Sequence, residues 1–289
     1  MPKRSLRFAI KDAIASKFDK KVCTILAKTT PNAGLSFNVE LAEHCNLNCA
    51  GCDHFSPIAE PALVNVDDLT RDFSRMAELF GNRIFQVLLM GGEPLLHPEL
   101  IDILRISRSA FPRAVINIVT NGLKLPTMPE EFWVACRQNH IAIRPTKYPI
   151  SLNYAEIELL AQRHQVEYCY YDGGDTVKTL YYRPLDPKGE HFPNQSFLMC
   201  LTANRCISLR QGRLYTCTTA ANIHKFNQHF NTKLELLPED SIDIYSAASA
   251  EEILEFLAKP IPFCRYCASE QVKKGIPWHQ SKRDINEWT

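Results

Sequence analysis

The chain has 289 residues, 45% of them apolar and 22% charged, with a formal net charge of +1 at pH 7. That is enough for one large core or two domains, and the composition is ordinary for a soluble globular protein. The near-neutral charge gives no global argument for a nucleic-acid or membrane-surface partner. There is no run of about 18 apolar residues to span a bilayer, and no export signal is expected, because the opening residues lack an apolar core with a cleavage site. Eleven cysteines is a high count. Without an export signal, and with C-x3-C-x2-C and C-x2-C groupings, metal binding in a reducing cytoplasmic compartment is expected rather than disulfides.

Residues 1–30 carry eight Lys/Arg against two Asp, with Leu6, Ile10, Phe18 and Val22 at near-helical spacing. The pattern predicts a basic amphipathic helix or helix pair capping the core, the alternative being a helix that docks on a membrane surface or partner. From Leu35 strand and helix alternate. Leu35–Leu41 alternates as a strand, Val66–Phe80 as an amphipathic helix closed by Gly81, and Ile84–Met90 as a second strand. Pro98 opens a helix, Val115–Val119 is a third strand, Pro129–Gln138 a helix and His140–Arg144 a fourth strand. Tyr154–His164 is a helix, and Val166–Tyr171 a fifth strand. Repeated βα units imply a parallel sheet with helices outside. Cys23, Cys136 and Cys169 stand alone in apolar surroundings and read as buried structural thiols.

Beyond the core, expected over 31–172, the stretch 173–199 is broken by glycine and proline and reads as a bridge. Tyr168, Tyr170, Tyr171, Tyr181 and Tyr182 lie around it, either shaping a pocket or packing on the core. Residues 200–289 form a cysteine-rich end. A β-hairpin is predicted around Gln211-Gly212, and Ser249–Leu257 as a helix with Glu251 and Glu252 in its first turn. The tail holds Trp278 and Trp288 and a short polar helix candidate; no chemistry is assigned to it.

The chain is organised around Cys45-Asn46-Leu47-Asn48-Cys49-Ala50-Gly51-Cys52. Three thiols in one loop are one ligand short of a closed tetrahedral metal site, so one metal position stays open for a small molecule. The competing reading is a zinc knuckle that borrows His44 or His54. The triad, Gly91-Gly92-Glu93-Pro94, Thr120-Asn121-Gly122 and Arg144-Pro145-Thr146-Lys147 all follow strands. In barrels and open α/β sheets alike that places them on one rim, where chemistry sits.

On these residues, over roughly 35–150, the chain resembles the radical S-adenosylmethionine (SAM) superfamily. The resemblance implies a partial (β/α)6 TIM-like barrel and a [4Fe-4S] cluster on Cys45, Cys49 and Cys52, whose open iron chelates SAM. It implies that Gly91, Gly92, Glu93 and Pro94 meet the methionine amino group, with Thr120 and Asn121 on the same rim. Gly51 stands where the family usually has an aromatic residue beside the adenine, and Phe55 is the candidate substitute. The family's chemistry makes a 5′-deoxyadenosyl radical with an electron from a flavodoxin- or ferredoxin-type donor, and takes hydrogen from an unactivated carbon.

Cys200, Gly212, Cys217 and the pair Cys264/Cys267 read by themselves as a zinc ribbon. Beside such a core they resemble the family's short "Twitch" extension, related to the longer SPASM form, which carries one auxiliary [4Fe-4S] cluster. Cys206 lies too close to Gly212 for the first ligand position, so Cys200 is preferred, with Cys206 as the spare. A fully ligated auxiliary cluster implies electron transfer from a substrate radical. Alcohol oxidation then needs a base, for which Arg144, Lys147 and Tyr148 are the rim candidates. The expected activity is dehydrogenation, epimerisation or dehydration of a small molecule such as a carbohydrate, aminocyclitol or nucleotide-sugar. The alternatives are a peptide-modifying enzyme of the sulfatase-maturase or ribosomal-peptide tailoring type, and a non-catalytic zinc or iron–sulfur module.

Overall fold

A computed structural model describes residue 31, residues 34–171 and residues 173–289. The expected helix over 1–30 and Cys23 lie outside the described residues.

Strand β1 (Leu35–Ala42) is central because it is buried on both faces. Leu35, Phe37, Val39 and Leu41 enter the main core with Phe73 and Met76 of helix α1 (Val66–Phe80). Their alternate neighbours Ser36 and Asn38 face an internal cavity instead. Helix α1 starts at Asn65, whose side chain accepts from Asp68 N, and ends at Gly81; such caps satisfy backbone groups the helix cannot pair itself. Strand β2 (Ile84–Gly91), helix α2 (Leu100–Ala110), strand β3 (Val115–Thr120), helix α3 (Glu130–Gln138), strand β4 (Ile141–Pro145) and helix α4 (Tyr154–Arg163) follow. Phe37, Phe73 and Phe111 meet edge-on, with ring centroids 5.0–6.3 Å apart, each pair adding about 0.5–1.5 kcal/mol beyond its burial.

The main sheet has the order β4-β3-β2-β1-β6-β7-β8. Strands β1 to β4 are parallel, in register Asn38↔Leu88 and Leu88↔Asn117. This is the expected α/β architecture, a parallel sheet curled as a partial barrel. The predicted fifth strand, Val166–Tyr171, runs beside β4 but keeps only an isolated bridge, Ile143↔Tyr168. Among the described residues its bonds to β4 are Ile143 N to Glu167 O, Cys169 N to Ile143 O and Tyr171 N to Pro145 O. Pro145 has no N–H to return, so the ladder stops there. The segment alternates, placing Tyr168 and Tyr170 inward and leaving Cys169 exposed, so Cys169 is not the buried thiol expected of it, whereas Cys136 is buried.

The predicted hairpin is present as β6 (Ser208–Arg210) and β7 (Arg213–Tyr215). Strand β6 also pairs in parallel with β1, and β7 with β8 (Ser241–Asp243), so the sheet runs on into the cysteine-rich end. Helix α5 (Pro193–Met199) lies within the expected bridge, helix α6 (Thr218–Phe230) follows the hairpin, and helix α7 (Ala250–Leu257) is capped by Ser249. Strand β5 (Thr179–Tyr182) and strand β9 (Lys273–Pro277) form a separate antiparallel pair that the alternation did not suggest. A second core gathers Phe55, Phe226, Trp288 and four cysteines. Among the described residues no helix is long and apolar enough to cross a membrane.

Candidate active site

The carboxyl ends of β1 to β4 converge on a cavity of about 330 Å³ lined by Cys45, Cys49, Gly51, Cys52, Gly91, Gly92, Thr120, Asn121 and Tyr148. The glycine pair locks the start of the cysteine loop. Gly92 N donates to Ala42 O (2.8 Å) and Glu93 N to His44 O (3.1 Å), and a Cβ on Gly92 would run into the His44 carbonyl. Glu93 and Pro94 do not line the cavity. The fully buried Glu93 carboxylate accepts from Thr120 Oγ1 (2.6 Å), Asn121 N (2.9 Å) and Leu95 N (3.1 Å), stapling two rim loops together. Burial pushes its pKa up to about 7, against the pull of those hydrogen bonds.

Each sulfur of the triad receives donors. Leu47 N lies 3.4 Å and Asn121 Nδ2 3.6 Å from Cys45 Sγ. Cys49 Sγ accepts from Trp278 Nε1 at 3.2 Å and from the Tyr148 hydroxyl, and Cys52 from the backbone of His54 and Ser56. Burial, with mutual repulsion second, pushes Cys49 up to about 11 and Cys52 up to about 12; burial also raises Cys45. Without a metal the thiols stay protonated, so a bound cation must displace those protons. Among the described residues no three His, Cys, Asp or Glu groups converge on a single metal ion. A polynuclear cluster asks for something different, one thiolate per iron, which sets the sulfurs further apart. Three thiols with donors behind them and a cavity in front fit a four-iron cluster with one open position.

Gly51 explains its own departure from an aromatic. It has φ +63°, and a Cβ there would stand 3.2 Å from the Tyr182 ring and 3.3 Å from Glu287 O. A side chain there would be strained by the left-handed backbone and crowded by the Tyr182 ring. Phe55 does not substitute for it: it is 1% exposed and packs away from the cavity against Phe226 and Trp288.

The three candidate bases are placed differently from the expectation. Lys147 does not line the cavity; its ammonium lies over the Tyr154 and Tyr170 rings at 5.5 and 5.6 Å. Tyr148 lines it, but burial first and the three neighbouring thiols next raise its hydroxyl well above the ordinary value, which makes it a donor to Cys49 rather than a base. Arg144 stacks over Tyr171 at 5.2 Å, and its buried Nε has no hydrogen-bond partner among the described residues.

A second cavity, of about 310 Å³, adjoins the first and shares Gly51, His54, Met90, Tyr171 and Tyr181 with it. Ser36, Asn38 and Gln86 line it from the sheet, Asp53 from just after the triad, and Arg205 and Cys206 from the cysteine-rich end. Tyr171 and Tyr181 thus shape the cavities, while Tyr168 and Tyr170 pack edge to face at 5.4 Å.

Sequence reasoning missed the buried ionic group beneath these cavities. Glu40 of β1 accepts from His54 Nδ1 (2.7 Å), Lys225 Nζ (2.8 Å) and Asn222 Nδ2. Lys225 also reaches Glu43 (2.8 Å), which Arg210 pairs at 2.6 Å. Burial pushes Glu40 up, but Lys225 and His54 outweigh it and hold the carboxyl far below the usual range. Against burial, His224, Lys225 and Arg210 bring Glu43 down to about 2. The available signal was an acidic residue, Glu40, on the Ser36 and Asn38 face of a strand buried on both sides.

The structure groups Cys200, Cys217, Cys264 and Cys267, all buried in the second core, and puts Cys206 on the wall of the second cavity. Cys200 follows α5, Cys217 caps α6 with its sulfur accepting from Ala220 N, and the last two stand on the turn at Pro262–Tyr266. Arg183, 3.6 Å from Asp53 Oδ2, faces Cys200, Cys217 and Cys267. Burial raises Cys217 and Cys267; at Cys200 burial is outweighed by the guanidinium and by hydrogen bonds from Thr202 and Ala203, and the thiol falls below its ordinary value.

No family model matches the chain. It is 31% identical over 104 residues to a GTP 3′,8-cyclase of Streptomyces coelicolor, covering 35% of this chain and 30% of that protein. It is 36% identical over 86 residues to an AdoMet-dependent heme synthase of Methanosarcina barkeri, covering 30% of this chain and 24% of that one. The chain therefore spans less than a third of the length of these relatives. In fold it is similar to the solved structure of histidine-tagged anSMEcpe with bound AdoMet, with a TM-score of 0.50, 12% identity, and coverage of 81% of this chain and 82% of that one.

Proposed function

We propose, for a chain that belongs to the radical SAM superfamily of enzymes, that it acts on a small hydroxylated molecule such as a carbohydrate, aminocyclitol or nucleotide-sugar. The reaction is a dehydrogenation, epimerisation or dehydration begun by hydrogen abstraction. The observation that supports this is the meeting of two cavities at Gly51, His54 and Met90. One is walled by the cysteine triad. The other, of about 310 Å³, offers Ser36, Asn38, Gln86 and Asp53 as hydrogen-bonding groups, which suits a small polar ligand with several hydroxyls.

Cys45, Cys49 and Cys52 would hold a [4Fe-4S] cluster, with SAM in the adjoining cavity against Gly91, Gly92, Thr120 and Asn121. Bound there, the pair supplies one-electron reductive cleavage of SAM to methionine and a 5′-deoxyadenosyl radical. The chain's own part is to fix geometry and exclude water. Glu93 holds the Thr120–Asn121 loop against the glycine pair. Tyr148 donates to Cys49. The Glu40–Lys225 pair fixes His54 at the junction of the cavities. Cys200, Cys217, Cys264 and Cys267 would hold an auxiliary [4Fe-4S] cluster that accepts the electron of a substrate radical. In an alcohol oxidation the C–H hydrogen leaves with the radical and the hydroxyl proton goes to solvent, while the returned electron equals the one supplied by a ferredoxin- or flavodoxin-type donor. A cytoplasmic setting suits that donor.

The test is anaerobic reconstitution of the parent protein and a Cys45/Cys49/Cys52→Ala variant, with iron counted and dithionite-driven 5′-deoxyadenosine assayed. About eight irons in the parent and about four in the variant, with nucleoside from the parent alone, is the expected result. Zinc without iron overturns the reading. Screening follows, with sugars and aminocyclitols in one arm and peptides in the other; turnover confined to peptides overturns the substrate class.

A further inference from the structure

The tail, to which the sequence assigned no chemistry, lies along the cysteine loop. Strand β9 anchors it on β5, and Trp278 N donates to Lys178 O at 2.9 Å. The next residues run antiparallel to the loop as if they were its partner strand: Ala50 N donates to His279 O (3.1 Å), Ser281 N to Asn48 O (2.7 Å), and Cys49 bridges Gln280. Gln280 Nε2 adds a bond to Leu47 O at 3.2 Å. At the far end Trp288, 3% exposed, donates its indole N–H to Cys52 O at 3.0 Å and packs in the second core. The loop's backbone groups are thus paired with protein where a free loop would pair them with water.

Between the two anchors, Trp278 aims its indole N–H at Cys49 Sγ, 3.2 Å away, with its ring 5.9 Å from that of Tyr148, the other donor to the same sulfur. A hydrogen bond to a ligand sulfur withdraws negative charge from a cluster and favours its more electron-rich, reduced state. Resting on the proposed cluster at Cys45, Cys49 and Cys52, we infer that residues 278–288 are a strap that completes that site. In it Trp278 is a positioning residue that raises the cluster's reduction potential through Cys49.

The experiment compares anaerobically reconstituted full-length parent and Trp278→Phe, which keeps an aromatic ring and removes the N–H. The midpoint of the reduced-cluster EPR signal that responds to added SAM is measured by redox titration, with iron counted alongside. The expected result is full iron in both and a more negative midpoint in Trp278→Phe, by about tenfold in the reduction equilibrium, ~59 mV for one electron. An unchanged midpoint at full iron overturns the inference. In the parent, without any substitution, amide exchange at Ala50 and Ser281 is slow if the strap is docked, and exchange at the open-chain rate overturns it. A parent that takes up no iron overturns the cluster reading and this inference with it, whereas a loaded, unresponsive variant overturns the strap's role alone.

Discussion

The two thiol groups of this protein are built in opposite ways. Cys45, Cys49 and Cys52 sit on one octapeptide at the end of β1, intermediate in exposure, with hydrogen-bond donors behind the sulfurs and a cavity in front. Cys200, Cys217, Cys264 and Cys267 come from three elements and are buried in an aromatic core, and all but Cys264 face the Arg183 guanidinium. The first is local and faces a cavity, with three thiols; the second is assembled and buried, with four. An open site can bind and activate a ligand, whereas a closed one suits structure or electron transfer. That difference is what the proposed division rests on, chemistry at the first group and support at the second.

The sharpest way to break that comparison is to remove one group at a time. In a Cys264→Ala/Cys267→Ala variant, iron is expected to fall from about eight to about four per chain. 5′-Deoxyadenosine should still form from SAM, while substrate turnover is lost. Loss of both activities together would show that the second group is not separable from the first.

The next effect concerns the ion pair that joins the regions. Lys225 of α6 is buried between Glu40 and Glu43 on the β1 side. Lys225→Met removes the cation that both carboxylates share, leaving Glu40 to His54 and Asn222 and Glu43 to Arg210, and is expected to cost about 3 kcal/mol in denaturant unfolding. Both carboxyls are depressed in the folded state, Glu43 to about 2. Their contribution is thus complete above the ordinary carboxylate value of about 4.3 and is lost as the pH falls toward about 2. Thermal scans of the parent should show that acid loss, and those of the variant much less of it.

Arg183 sharpens the comparison on the closed side. It holds the Cys200 thiol low against burial, so in the metal-free protein Arg183→Gln should raise that thiol and slow its alkylation at neutral pH, while Arg183→Lys keeps most of the rate. The slowing should be greatest at Cys200 and absent at Cys136, which lies in the main core; mapping the alkylated residues by mass spectrometry checks both. The smallest effect is expected at the open loop. Gly51→Ala places a Cβ on a left-handed residue beside Tyr182 and should cost about 1–2 kcal/mol, read as a lower denaturation midpoint.

Much of this architecture was legible because its signals are local. Helix α1 ends where its amphipathic period and Gly81 end it. Strands β1 to β4 announce themselves by alternation or apolar runs, and the triad and glycine pair by spacing. Local pattern failed where partners decide the outcome. Val166–Tyr171 looks like a strand by itself but loses its ladder to the missing N–H of Pro145. Lys147 looks like a rim cation but lies between tyrosine rings, and Phe55 looks like a cavity aromatic but is drawn into the second core. Nothing in the sequence around Trp278 indicates Cys49 as its partner, because the two are 229 residues apart.

By itself, then, the sequence determined the parallel α/β core, the shared rim and the three-thiol loop, since each rests on periodicity or on spacing within a few residues. Only the tertiary structure decided which polar groups support that loop. The Glu93 staple, the Glu40–Lys225 pair, the Cys206 position and the strap over Asn48–Ala50 all depend on contacts between distant segments. Such contacts form because buried donors and charges must find partners wherever the fold brings them, and no local pattern records which partner that will be.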